Sequence, residues 1–355
     1  MGNIQRVNRS KPWRARYWGP DGRQHSRSFA RKVDAERWLK VSEAESLTGR
    51  WVDPAAGVEP FGPYAEEWIA VKRSRVGETT ATNTESLLRA RVLPEFGAKK
   101  LKQITTADVR NWMAKMTEEG LAASTVYTYR RILAQIIDQA VDDGLIVSNP
   151  ARKAKAPSVR PRRQLFLSAD ELRALADECG DFAPLVWFLG WSGLRFGEAA
   201  ALRVGRVDPS RRRVRVEEAT TEVGGRLVLG APKTHEARTV VVPSFVIESV
   251  LPLLDDRDAD DLLFTAFRGG PVRLNNFRRR VFAPAAERIG KPGLVPHDLR
   301  DTAASLAISA GASIKAVQRM LGHASAKMTL DVYGSLFEED LETLADRIEE
   351  RYGSQ

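Results

Sequence analysis

The apolar residues of this chain change period several times, and each change marks an element. From Pro12 to Phe29 they alternate, with Trp13, Ala15 and Tyr17 on one face and Arg14 and Arg16 on the other, around the turn Gly19-Pro20-Asp21-Gly22. Two strands are predicted, then a helix from about Asp34 with Ala35, Trp38 and Leu39 inward. Residues 51–62, WVDPAAGVEPFG, read as a linker because Pro and Gly interrupt any period. Residues 63–147 read as several helices. Thr105-Thr106-Ala107-Asp108 resembles a capping box ahead of Val109, Trp112, Met113 and Met116. A further helix from about Ser124 carries Tyr129, Ile132, Leu133, Ile136 and Ile137, and these large side chains read as core. The stretch NPARKAKAPSVRPRR, 149–163, has three prolines and reads as an extended linker unable to form a helix. Ser168 to Glu171 caps the next helix, and VRVEEATTE, GGRLVLGAP and ARTVVVP predict three strands before a helical remainder.

A chain of 355 residues exceeds one typical domain. The fold expected is multidomain α/β (α+β): a small sheet-plus-helix domain, an all-helical domain, and a mixed, mainly helical domain with a small antiparallel sheet. The single cysteine, Cys179, excludes an intrachain disulfide and a cysteine-rich metal site and suits a reducing cytoplasm. No apolar run reaches membrane-span length and the N-terminus lacks a signal-peptide core, so no membrane partner is expected and a cytoplasmic protein is.

The net charge of +9 is unevenly placed. Residues 1–50 carry 12 Lys/Arg against 5 Asp/Glu, and residues 151–163 carry 6 against none, whereas 164–355 hold 25 against 28. Two separate basic blocks point to nucleic acid better than a diffuse excess of solubilising charge does. The candidate DNA contacts are Lys11, Arg14, Arg16, Arg23 and Arg27 in the first block, and Arg152, Lys153, Lys155, Arg160, Arg162 and Arg163 in the second.

Four later segments hold the candidate chemistry. WSGLRFGEAA places Arg195 at a loop-to-helix junction with Glu198 one turn on, and APKTHEARTV places Lys233 in a turn between strands. VPHDLRDTAAS carries His297 and Arg300 one helical turn apart, and LGHASAKMTLDVYGSL carries His323 and Tyr333. Singly each is a common surface or packing pattern. Together they fit attack on a phosphodiester. Guanidinium groups match the charged non-bridging oxygens. A tyrosine can be the nucleophile if the site helps remove its proton, a lysine can protonate a leaving 5′ oxygen, and a histidine can exchange protons.

This ordered set, Arg195, Lys233, His297-x-x-Arg300, Leu321-Gly322-His323 and Tyr333, resembles the tyrosine recombinases, the phage integrase family. The resemblance covers residues 63 to 340. It implies a helical core-binding domain at 63–148, a basic linker at 149–163 and a catalytic domain at 164–355. Residues 1–50 resemble the arm-binding domain of lambda-type integrases, with 51–62 as linker. The implied roles are phosphate binding by Arg195, Arg300 and His323, general acid catalysis by Lys233, proton transfer assisted by His297, a 3′-phosphotyrosine at Tyr333, and orientation by Glu198. Asp301 departs from the second histidine that many members carry after the arginine. No cofactor, metal or ATP is implied. The implied partners are double-stranded DNA with core-type and arm-type sites, three further copies in a tetramer, an excisionase and a host DNA-bending protein.

A chromosome-dimer resolvase of the same chemistry, a type IB topoisomerase and a catalytically inactive DNA-binding protein are the competing readings. The basic N-terminal block argues against the resolvase, and the filled catalytic positions argue against the inactive binder. A tail helix is expected at 336–350. Its stripe of Phe337, Leu341, Leu344 and Ile348 would pack on its own domain or, as the resemblance favours, on a neighbouring subunit.

Overall fold

The computed structural model describes residues 2–8, 10–48, 51–53, 55–159, 164–230, 237–336 and 340–353, leaving aside the side chains of 335, 340–344 and 347. The chain divides into two compact units, Met1–Pro161 and Arg162–Gln355.

The first unit opens with three strands, β1 (Asn3–Arg6), β2 (Trp13–Trp18) and β3 (Gln24–Phe29), in an antiparallel sheet of order β1-β2-β3. The expected pair of strands is therefore corrected to three. β1 escapes pattern reading because Asn-Ile-Gln-Arg holds a single apolar residue, and its pairing with β2 is what makes it a strand. Alternation along β2 buries Ala15 and Tyr17 under the helix Lys32–Leu47, where Tyr17 meets Trp38 edge to face at 5.2 Å. Trp51 closes this small core by donating its indole N–H to the Tyr17 hydroxyl at 2.7 Å.

The helical part of the unit begins at Phe61, two residues inside the expected linker, with helix Phe61–Arg75. Pro63 is tolerated there because first-turn N–H groups lack intrahelical partners in any case. Helices Thr106–Glu118 and Ala123–Asp142 follow, and Phe61, Phe96, Trp112, Leu133, Ile136 and Ile137 fill the core between them. The capping box forms as read: Thr105 Oγ1 accepts from the Asp108 N–H at 3.1 Å, and Asp108 accepts from the Thr105 N–H at 2.8 Å. Lys99 beside it, with Thr105, lowers the Asp108 pKa to about 2.

Residues 149–163 are not extended throughout. Pro150–Lys153 form one helical turn, because the Asn149 side chain accepts from the N–H groups of Ala151 and Arg152 and proline suits the first helical position.

In the second unit, Ser168 caps Ala169–Glu178 with Glu171 as its reciprocal partner. Helix Ala183–Ser192 and the short helix Phe196–Ala200 precede five strands: β4 (Val207–Asp208), β5 (Arg213–Val216), β6 (Ala219–Val223), β7 (Arg226–Gly230) and β8 (Arg238–Val241). They make a sheet of order β4-β5-β8 and a separate hairpin β6-β7, so the three strands read from the sequence are five. VRVEEATTE breaks at Glu217 and Glu218, whose carboxylates turn to Arg206, Arg215 and Arg203. Helices Asp298–Ser309, Ile314–Leu321 and Ala326–Tyr333 follow. The tail helix is Asp340–Tyr352. Phe337 and the side chains of Leu341 and Leu344 lie outside the described residues, while Ile348 is 51% exposed. Among the described residues no helix is long and apolar enough to cross a membrane.

Replacing Asn149 with Ala removes two acceptor bonds and the donor bonds to the Ala134 carbonyl and Asp138. A lost cap of this kind costs about 1–2 kcal/mol. Amide exchange at Ala151 and Arg152 is therefore expected to accelerate roughly 5- to 30-fold. Unchanged exchange at both amides would contradict this account of the turn.

Candidate active site

Two helix ends build the centre of the site. Ala183–Ser192 stops at Gly193, which takes a left-handed conformation (φ 66°), and a Cβ there would lie 2.9 Å from Leu321. Ile314–Leu321 stops at Gly322 (φ 64°), where a Cβ would lie 2.9 Å from the Arg238 side chain. Both glycines are thus required by backbone sign and by close approach. The carbonyls at these ends carry the partial negative charge of a helix C-terminus. Arg300 donates to both, to Gly193 O at 2.6 Å and Leu321 O at 2.5 Å. With 3% exposure, its pKa is pushed down to about 10, first by burial and then by the charge of Arg195.

Glu198 is the carboxylate at the other side of the site. It is 1% exposed and holds two guanidinium groups. Arg195, at the N-cap of Phe196–Ala200, donates Nη1 to Oε1 at 2.9 Å and its backbone N–H to Oε2 at 2.9 Å. Arg238, at the start of β8, binds it in two-pronged fashion at 2.9 and 2.6 Å. Burial pushes the Glu198 pKa up, but the Arg238 bonds and charge, with those of Arg195, outweigh it and hold the carboxylate below its usual range.

His323 follows Gly322 directly. Its Nδ1 lies 3.0 Å from the hydroxyl of buried Thr329, which leaves Nε2 as the nitrogen open to a ligand. Burial, then the charges of Arg300, Arg195 and Arg238, lower its pKa to about 4, so the ring is neutral at neutral pH. Tyr333 ends Ala326–Tyr333 and packs at 1% exposure against Ala304, Val317 and Leu321. Its hydroxyl donates to Asp301 Oδ1 at 2.6 Å. Burial, the Asp301 bond and the Asp301 charge all raise the tyrosine pKa, and only Arg300 opposes them.

The structure therefore brings Arg195, Glu198, Arg300, His323 and Tyr333 together. His297 stands apart, exposed at the start of Asp298–Ser309, with no hydrogen bond to Tyr333. Lys233 lies outside the described residues, between β7 and β8. Pattern reading missed Arg238 as a site residue. Its signal is position, as the first residue of β8, five residues after Lys233 in sequence. Arg278, Arg279 and Arg280 are exposed consecutively in a π-helical turn and without ion pairs among the described residues.

The candidate DNA contacts divide as well. Cross-strand register places Arg14 opposite Ser28 and Gln5, and Arg16 opposite Ser26 and Asn3, on the sheet face away from the helix, which also carries Trp18 at 63% exposure. Arg27 pairs with Ala15, on the opposite face, and stacks over Phe29. Lys11 and Arg23 are exposed in the connecting loops. In the second block, Arg152 is clamped by Asp138 at 2.6–2.9 Å, Lys153 bonds Ser148, and Lys155 is exposed. Arg160, Arg162 and Arg163 lie outside the described residues.

Comparison with known proteins gives three matches along the chain: the Phage integrase family at residues 166–339, its N-terminal SAM-like domain at 61–117, and the phage integrase N-terminal domain at 1–48. The chain is 32% identical over 344 residues to a protein named as a prophage phiRv2 integrase of Mycobacterium tuberculosis, spanning 93% of this chain and 90% of that one. It is 30% identical over 355 residues to the integrase of Mycobacterium phage D29, spanning 95% and 91%. Among solved structures, a lambda integrase dimer bound to a COC′ core site shares the fold at TM-score 0.62 and 18% identity, over 93% of this chain and 94% of that one.

Two outcomes follow from this geometry. The folded-state pKa of His323 lies below its unfolded value of about 6.5. The unfolded chain therefore binds the extra proton between these values, and stability falls as pH drops from about 6.5 toward 4. An NMR titration of the His323 ring is expected to show a midpoint near 4 in the free protein, and an ordinary midpoint would refute its burial among cations. Glu198→Ala leaves Arg195 and Arg238 uncompensated and is expected to cost about 3–5 kcal/mol in urea unfolding. A loss under 1 kcal/mol would remove Glu198 from its central place.

Proposed function

This chain belongs to the phage integrase family of tyrosine recombinases, and from that membership we propose a residue-by-residue mechanism for it as a DNA integrase. As a site-specific recombinase it cuts and rejoins DNA. The observation that carries the mechanism is that Arg300 bonds the carbonyl of Leu321, against which Tyr333 packs, while Tyr333 bonds Asp301 next to Arg300, with His323 and Arg195 interacting electrostatically with the same arginine. In this reading the scissile phosphate enters between the two guanidinium groups, whose planar donors bind its non-bridging oxygens and balance the charge that grows during attack. The neutral His323 adds a hydrogen bond from Nε2 without adding charge in the resting site. Glu198 holds both Arg195 and Arg238 in place.

Tyr333 attacks phosphorus to form the 3′-phosphotyrosine, and Lys233 protonates the departing 5′ oxygen. His297, three residues before Arg300 and exposed, is proposed to assist proton transfer once DNA is bound. The covalent bond preserves the energy of the broken one, so resealing needs no ATP, and direction comes from DNA architecture and accessory proteins. The partners proposed are attachment-site DNA of core and arm types, an excisionase, a host DNA-bending protein and three further copies of the chain, in the cytoplasm of a bacterial host. The lambda integrase tetramer seen on a Holliday junction supports that stoichiometry by analogy. The free face of β1-β2-β3, with Arg14, Arg16 and Trp18, is the surface proposed for arm-type DNA.

Tyr333→Phe removes only the hydroxyl, so it should bind a core site normally and form no covalent adduct in denaturing gels. An adduct from that variant would move the nucleophile elsewhere. A substrate with sulfur in place of the bridging 5′ oxygen needs less protonation on leaving, so it should restore cleavage by Lys233→Ala. Failure of that rescue with binding intact would remove Lys233 from the acid role.

A further inference from the structure

We infer that Asp301 is the proton acceptor for Tyr333. The inference rests on the reading of Tyr333 as nucleophile. It is carried by the 2.6 Å bond from the Tyr333 hydroxyl to Asp301 Oδ1 in a side chain only 1% exposed. That separation is the short one expected of a hydroxyl donating to a carboxylate. The hydroxyl thus already holds a carboxylate acceptor of the protein, along the direction in which its proton would leave. Neither histidine occupies that place. His323 directs Nδ1 to Thr329, and His297 is exposed without a bond to the tyrosine. Arg300, the other charge acting on Tyr333, carries no acceptor.

The step balances as follows. The phenolic oxygen forms a bond to phosphorus while its proton passes to Asp301 Oδ1. The bond from phosphorus to the 5′ oxygen breaks, and that oxygen leaves with the bonding pair and takes a proton from Lys233. In rejoining, the 5′ hydroxyl attacks, its proton returns to Lys233, and the departing tyrosine oxygen recovers its proton from Asp301. Because Asp301 directly follows Arg300 on helix Asp298–Ser309, the acceptor and a phosphate clamp are set by the same turn of backbone.

Asp301→Asn tests this, because the amide keeps the size and the hydrogen-bond acceptor but does not take a proton. The probe is a nicked duplex carrying the core site from the DNA junctions that flank the gene. Cleavage by Asp301→Asn is expected to fall by about 100-fold or more, with core-site binding, which also reports folding, within about twofold. Asp301→Glu, which keeps a carboxylate, should recover part of the rate. The 5′-sulfur substrate should leave the Asp301→Asn defect in place, since it relieves only the leaving group. Cleavage by Asp301→Asn within about threefold of the unaltered protein would overturn the inference, as would full rescue by sulfur. Adduct formation by Tyr333→Phe would instead overturn the reading of the nucleophile.

Discussion

The buried carboxylate of Glu198 is the interaction on which the second unit's chemistry depends. A charge at 1% exposure is costly to desolvate and persists only with close partners, and Arg195 and Arg238 supply them. In return their guanidinium groups are fixed in orientation. Arg300 is held differently, by the carbonyl ends of two helices instead of a carboxylate. The charges of Arg195, Arg238 and Arg300 thereby act on one another beside the carboxylate of Glu198. The pKa values of Arg300 and His323 are both depressed, first by burial and then by the charges of the neighbouring arginines.

Much of this was legible in the amino-acid order, and the reasons differ by element. Long helices with strong periodicity, such as Ala123–Asp142, declare themselves, as do the reciprocal caps at Thr105 and Ser168, because both depend on residues a few positions apart. Short elements held by partners distant in sequence do not. β1 exists through its pairing with β2, and at the break Glu217 and Glu218 pair with Arg206 and Arg203 of an earlier segment. The turn Pro150–Lys153 was hidden by the three prolines of its segment, although Pro150 at the first helical position favours the turn that Asn149 caps.

The site divides along the same line. Arg195, Arg300, His323 and Tyr333 are recognisable because the proposed reaction calls for those residue types and their order resembles the family's. Arg238 was not, since nothing local separates a site arginine from a strand-edge arginine until Glu198 is seen between its nitrogens. Asp301 stood out only as a departure from the family pattern, and the hydrogen bond from Tyr333 is what turns that departure into chemistry. The glycines of Leu321-Gly322-His323 and Trp191-Ser192-Gly193 have a physical reason of the same kind. Each ends a helix where Arg300 or Arg238 must approach the backbone.

The most direct test of this account is the chemical identity of the bond to DNA. The protein is trapped on a nicked core site, digested with protease, and the DNA-linked peptide is sequenced by mass spectrometry. The account predicts a single nucleotide-bearing peptide with the phosphate on the oxygen of Tyr333 and joined to a 3′ end. A linkage through any other side chain, or through a 5′ phosphate, would contradict it.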